Sequence, residues 1–151
     1  NDIDEKWALK TMKKQNVEGP ELAQINGVNA MTDVTGFGLA GHLHEMMSAS
    51  NCSAKLNYSQ VPFYDQGRLK ELYSMQCMPT GTTKNYLAYH KDIEKLSGEE
   101  LFILLDPQTS GGLLISVDPK DKIEVENILK ENSIIACIGA VTEKKEKLIY
   151  L

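Results

Sequence analysis

Apolar positions recur along this chain with two periods, one near 3.6 residues and one near 2. Trp7, Ala8, Thr11 and Met12 fall at helical spacing and predict a helix over residues 4–15, closed off by Gly19-Pro20. A short helical piece is expected at 21–25, and Asn26-Gly27 marks a turn. Val28 to Val34 reads as a short strand running into the loop Thr35-Gly36-Phe37-Gly38. Residues 38–49 give the clearest amphipathic helix, with Phe37, Ala40, Leu43, His44 and Met47 on one side and His42 and Glu45 on the other. Residues 53–58 alternate Ala54, Leu56 and Tyr58 with polar neighbours, the pattern of a half-buried strand. Leu69, Leu72 and Tyr73 predict a helix over 64–74.

In the second half, Met78 to Thr83 reads as a loop, with a helix starting near Lys84. Leu101 to Leu105 is a continuous apolar run, which predicts a strand buried on both faces and ended by Asp106-Pro107. Gln108 to Gly112 is a second Gly-rich loop, and Leu113 to Val117 a second buried strand. Asp118 as N-cap and Pro119 as first helical residue open a helix whose apolar face is Val125, Ile128 and Leu129. Ile134 to Val141 predicts a strand, and Lys147 to Leu151 an edge strand after a charged hairpin. Strands and helices alternate without a strict β-α-β order. The expectation is an α+β or layered α/β domain, a mixed sheet flanked by helices, with its strand order open.

Length and composition narrow this further. The 151 residues suit one domain, or one domain plus a connecting helix. A chain of this size buries roughly 68–70% of its unfolded surface, so a real core is available. Hydrophobic residues at 42% and charged residues at 25% argue against disorder. The net charge is -5, and the densest basic cluster (Lys144, Lys145, Lys147) is interleaved with Glu143 and Glu146, so no nucleic-acid partner is expected. Cys52, Cys77 and Cys137 are far apart and form no Cys-x-x-Cys pair. They read as buried or half-buried apolar residues in a reducing, cytoplasmic setting. No apolar run approaches the roughly 20 residues of a membrane span, and the acidic opening Asn1 to Glu5 is unlike a signal peptide.

Four stretches carry candidate chemistry. In Thr32-Asp33-Val34-Thr35-Gly36-Phe37-Gly38 a strand delivers a carboxylate to a glycine-containing turn and then a helix start. A hard cation wants such carboxylate oxygen, and free helix N–H groups favour anions. The competing reading is that Asp33 caps the helix or turn. Asp106-Pro107-Gln108-Thr109-Ser110-Gly111-Gly112 is either a tight connection or a loop whose backbone faces a ligand or another domain. Pro79 to Asn85 is either a phosphate-holding loop or a solvated helix cap. His42 and His44, two apart on a helix, point in opposite directions and cannot share one metal; His42 reads as a satisfied structural histidine.

Taken together, these strings resemble the selenophosphate synthetases (selenide, water dikinases) of the aminoimidazole ribonucleotide synthetase superfamily. The match runs through Thr32 to Leu39, Gly41-His42-Leu43, Glu45-Met46, the DPQTSGGLL of Asp106 to Leu114, and Ile138-Gly139 with Val141. The stretch 79–85 is a looser match, with Thr80 where the family usually has a glycine. The resemblance implies a carboxy-terminal domain, partly ferredoxin-like, spanning 21–151 behind a connecting helix at 1–20, without the amino-terminal ATP-binding and catalytic domain. It implies a parent homodimer that turns selenide, ATP and water into selenophosphate, AMP and phosphate. Asp33 would bind Mg2+, with Thr32, Thr35, Gly36, Gln108, Ser110 and Gly111 shaping the nucleotide wall. The family's cysteine or selenocysteine and its catalytic lysine have no counterpart here, so no catalytic residue is expected in this chain and the piece alone would be inactive. The alternatives are another ATP-using superfamily member, such as a purine-pathway synthetase, a thiamin-phosphate kinase or a hydrogenase-maturation protein, or a non-catalytic binding module.

Overall fold

In the computed structural model, residues 2–63, 65–94, 98–129 and 134–151 are described. The elements run α1 (Asp2–Met12), α2 (Gly19–Leu22), β1 (Val28–Asp33), α3 (Gly38–Ala49), β2 (Cys52–Leu56), α4 (Gln66–Ser74), α5 (Thr80–Tyr89), α6 (Gly98–Leu104), β3 (Leu113–Val117), α7 (Lys122–Leu129), β4 (Gly139–Glu143) and β5 (Ile149–Tyr150). None of the described helices is long and apolar enough to cross a membrane.

The strands form two sheets. β1 and β3 pair antiparallel, with Asp33 opposite Leu113 and Met31 opposite Ile115. Side chains alternate across this ladder. Met31, Leu113, Ile115 and Val117 therefore join Leu22 and Val125 of α2 and α7, while Leu114 enters the main core. The ladder is thus a middle layer between helices. The second sheet is mixed: β2 lies at its centre, antiparallel to β4 and parallel to β5. The main core gathers Ala40, Leu43 and Met47 of α3, Leu101 and Leu104 of α6, Leu56 of β2 and Ile149 of β5. Between the sheets lies a cleft of about 1200 Å³, bordered by Leu39, Met46, Phe102 and the 106–112 loop among others.

Several expectations are corrected. Leu101 to Leu105 is not a strand but the end of α6 and its exit. An apolar run alone cannot separate a buried strand from a buried helix. What decides here is Glu99 and Glu100 in the first turn, which suit a helix start, and burial of Leu101, Leu104 and Leu105 at i, i+3 and i+4. α5 begins at Thr80, not near Lys84. The helix after Asp118-Pro119 begins only at Lys122. Residues 134–138 form no strand, and β4 runs on to Glu143. β5 does not pair with β4 as a hairpin, because β2 lies between them. The cysteines are free, but Cys77 and Cys137 are exposed and not buried. Tyr64, expected to open the fourth helix, lies outside the described residues.

Candidate functional site

The three motif loops converge at one place. Backbone bonds fasten the 106–112 loop to the end of β1: Val34 N donates to Gly112 O at 2.9 Å, Gly111 N to Val34 O at 2.9 Å, and Gln108 N to Thr35 O at 3.0 Å. α5 fastens both. The buried Asn85 amide donates to Gly36 O and to Leu105 O, each at 2.9 Å. The buried Thr82 hydroxyl donates to Asp106 Oδ1 at 3.2 Å. In the stretch 79–85, Thr82 and Asn85 point inward, while the N-cap Pro79 and Thr80, Thr83 and Lys84 are exposed at the start of α5. These two buried side chains satisfy the Leu105 carbonyl and one oxygen of the half-buried Asp106 from inside the fold.

Gly38 makes the close approach possible. Its φ is 70°, and a Cβ there would lie 2.6 Å from the carbonyl carbon of Leu105. Only glycine meets both demands cheaply. α3 can thus start directly against the exit of α6.

Asp33 ends β1 and is exposed. Among the described residues its carboxylate has no hydrogen-bond or ion-pair partner. It does not cap α3, because the N-cap position is Phe37, with no side-chain cap and no acidic residue in the first turn. The capping alternative is therefore excluded. The helix start has no side-chain cap, its Gly38 N–H is held by Thr35 O at 3.1 Å, and the carboxylate stands five residues upstream of its positive dipole end.

The other predicted site residues are more committed. The Thr32 hydroxyl donates to Asp33 O at 3.3 Å. Thr35 Oγ1 lies 3.2 Å from His42 Nε2. Gly36 is exposed, and its carbonyl is taken by Asn85. Gln108 Nε2 donates to Asp106 Oδ2 at 2.8 Å, and the Ser110 hydroxyl donates to Lys14 O. Gln108, Ser110 and Gly111 border the cleft, whereas Thr32, Asp33, Thr35 and Gly36 do not.

Asp106, Thr82 and Asn85 escaped the sequence reading as site residues. Burial pushes the Asp106 carboxyl above the usual carboxylate range, partly offset by the bonds from Thr82 and Gln108. The available signal was an aspartate, a proline and a glutamine in a run between two apolar segments. His42 is buried and bonded to Thr35, as a satisfied structural histidine should be, but it does not lie on the exposed side of α3 as its spacing predicts, while Phe37 is exposed. Among the described residues no three His, Cys, Asp or Glu side chains are grouped to hold a metal.

Comparison with known proteins places the chain among relatives. A selenide, water dikinase of Shewanella sp. (strain W3-18-1) is 43% identical over 142 residues, covering 93% of this chain and 40% of that protein. The selenide, water dikinase of Shewanella baltica (strain OS155) is 42% identical over 141 residues, with the same coverage. The chain thus spans about two fifths of the length of these relatives. Among solved structures, the hydrogenase maturation protein HypE of E. coli aligns with a TM-score of 0.55 and 20% identity, over 88% of this chain and 34% of HypE, a likeness of fold alone. The family described as AIR synthase related protein, C-terminal domain, matches residues 3–151, and the α+β architecture agrees: the chain belongs to that family.

Proposed function

We propose that this chain is the carboxy-terminal domain of a selenophosphate synthetase, supplying one cation-binding carboxylate to an ATP cleft that an amino-terminal domain completes. The carrying observation is Asp33, exposed and unpartnered beside an uncapped helix start. A carboxylate in that position has no internal bond to give up and is free to meet a cation. The likeness to selenide, water dikinases over 93% of the chain supports the substrate class: selenide, ATP and water.

The donor chemistry fits Mg2+, which takes hard oxygen ligands, but only as a share of a site. One exposed carboxylate without a second acidic neighbour cannot hold the ion tightly, so further ligands would come from the amino-terminal domain and from phosphate oxygens. When bound, the ion would offset charge on the phosphates during transfer. The chain's own part is to hold Asp33 and the α3 N–H groups in fixed relation through the Asn85 and Gln108 bonds. Thr32, Thr35, Gly36, Gln108, Ser110 and Gly111 act in this reading mostly through backbone and by bracing the loops.

In the same reading, residues 1–20 connect the two domains and 21–151 form the carboxy-terminal one. Leu22, fully buried against Val125, supports a boundary near there, and the Ser110–Lys14 bond ties the connector down. The parent is a cytoplasmic homodimer without nucleic-acid or membrane partners. The test is a fusion of this chain to the amino-terminal half of a selenide, water dikinase. Selenide-dependent AMP formation is expected. AMP formed equally without selenide, or none from a folded fusion, rejects the assignment.

A further inference from the structure

Each sheet ends on an unpaired edge, and two of these edges border the same cleft. β3 is bonded to β1 on one side only, and β4 to β2 on one side only. Successive side chains of a strand point to opposite faces, so a strand that meets a cavity through one face does so with every second residue. β3 borders the cleft with all of its residues, 113–117, and so does the whole run 134–141 that leads into β4. Each therefore turns its edge to the cleft.

The residues of these runs do not suit open edges. Leu113-Leu114-Ile115-Ser116-Val117 and Ile134-Ile135-Ala136-Cys137-Ile138 are nearly continuous apolar stretches, the pattern of strands paired and covered on both faces. Yet Ile134 is 69% exposed and Val141 46%, and Ala136 and Cys137 are exposed as well. Neither stretch carries a charge or a proline that would guard an edge. A strand has already begun at the end of the second stretch: Asn57 N donates to Ile138 O at 2.7 Å, which carries the β2–β4 ladder one residue upstream of Gly139. Among the described residues that is the one backbone-to-backbone bond made by 134–138.

Chain order gives the direction of the missing pairing. β3 leads into α7, whose Val125 shares a core cluster with Leu113, Ile115 and Val117 of β3. A strand, a helix packed back on it and a following strand make a β-α-β unit, whose two strands run parallel and side by side. The run 134–141 is the following strand. We propose that 134–138 closes onto the free edge of β3 as a parallel strand, filling the cleft and joining the two sheets into one with the order β1-β3-β4-β2-β5. Closure buries Ile134 and pairs the open backbone groups of β3. It also fastens the 106–112 loop, which runs directly into β3, to the half of the domain that holds β2 and β5. The closed form leaves no room for a ligand between the sheets. None of this depends on the reading of Asp33 given above.

The test is NMR on the isotope-labelled 151-residue chain. Strand-type Cα shifts are expected over 134–138, with the amide-to-Hα NOEs of a parallel ladder between 134–138 and 113–117. Coil-type shifts, an antiparallel NOE pattern or no NOEs between these runs overturn the proposal. A mixture of labelled and unlabelled chains identifies the occupant of the edge. NOEs at the β3 edge that arise between copies assign it to a second copy and overturn closure. Ala136→Pro removes one N–H from the new ladder and stiffens the residue before it. It should abolish hydrogen-exchange protection at the β3 amides that point away from β1, while the β1–β3 and β2–β4 NOEs persist. Protection left unchanged at those amides overturns the proposal, and if the variant does not fold, the wild-type NOEs decide alone. These readouts involve no selenide, ATP or cation, so failure of the proposed function leaves them untouched.

Discussion

Asp33 and Asp106 each stand beside a glycine-containing loop, and the two loops are bonded to each other, yet the aspartates live in opposite circumstances. Asp33 is exposed and takes no partner among the described residues. Asp106 is half-buried, and both its oxygens are occupied, by Thr82 at 3.2 Å and by Gln108 at 2.8 Å. The difference separates two uses of a carboxylate. One whose oxygens are both held by neighbouring side chains is committed mainly to bracing the fold. One left open contributes little to stability and can be completed only from outside.

The comparison breaks most sharply at Asp33. In the fusion, Asp33→Ala is expected to lower AMP formation by on the order of 10²-fold or more. Its urea midpoint should correspond to a change below about 0.5 kcal/mol, as for an exposed side chain away from special features. A clear loss of stability would make Asp33 a structural residue after all. Next comes Gly38, which holds the two loops at contact distance. Gly38→Ala should destabilise the chain by about 2 kcal/mol, read from chemical denaturation, because the left-handed φ alone costs about 1–2 kcal/mol and the Leu105 backbone is in the way.

Asp106→Ala should cost about 1 kcal/mol, since it leaves the buried Thr82 hydroxyl without its acceptor and the Gln108 amide with only the Asp106 carbonyl at 3.3 Å. The smallest effect is its pH dependence. The folded-state pKa of Asp106 is raised above the ordinary 3.8, so the favourable share is fully present below that value and is lost as pH rises through the higher folded value. Denaturation at acid and neutral pH should therefore show a larger gap between wild type and Asp106→Ala on the acid side. A gap that widens toward neutral pH would mean that the hydrogen bonds outweigh desolvation.

Much of the fold could be read from the sequence where periodicity was clean. The helix at 38–49 and the strand at 113–117 lie where expected, because glycine and polar residues bound them on both sides. The strand at 101–105 failed because five apolar residues in a row carry no period. The division into two sheets was not legible at all, since β2 meets β4 and β5 across more than eighty residues of chain. At the site, the aspartate before a glycine turn was legible as an open carboxylate, since Asp33 is exposed at the end of β1. His42 was misplaced because helical spacing assigns a face without knowing what covers it, and here Phe37 folds over the polar side. Thr82 and Asn85 were missed because buried polar residues that satisfy carbonyls look, in sequence, like ordinary helix-cap residues.

β5 is short, yet it is clasped on both sides. Ala54 N donates to Leu148 O at 2.8 Å, Glu94 N donates to Ile149 O at 2.8 Å, and Ile149 is fully buried. These residues leave the ribosome after everything they join. Until they emerge, β2 must wait with one edge and part of its apolar face uncovered, and a nascent chain in that state offers a pairing site to other chains. Synthesis rate and chaperone access between β2 and β5 should therefore influence how much of the chain reaches its native form.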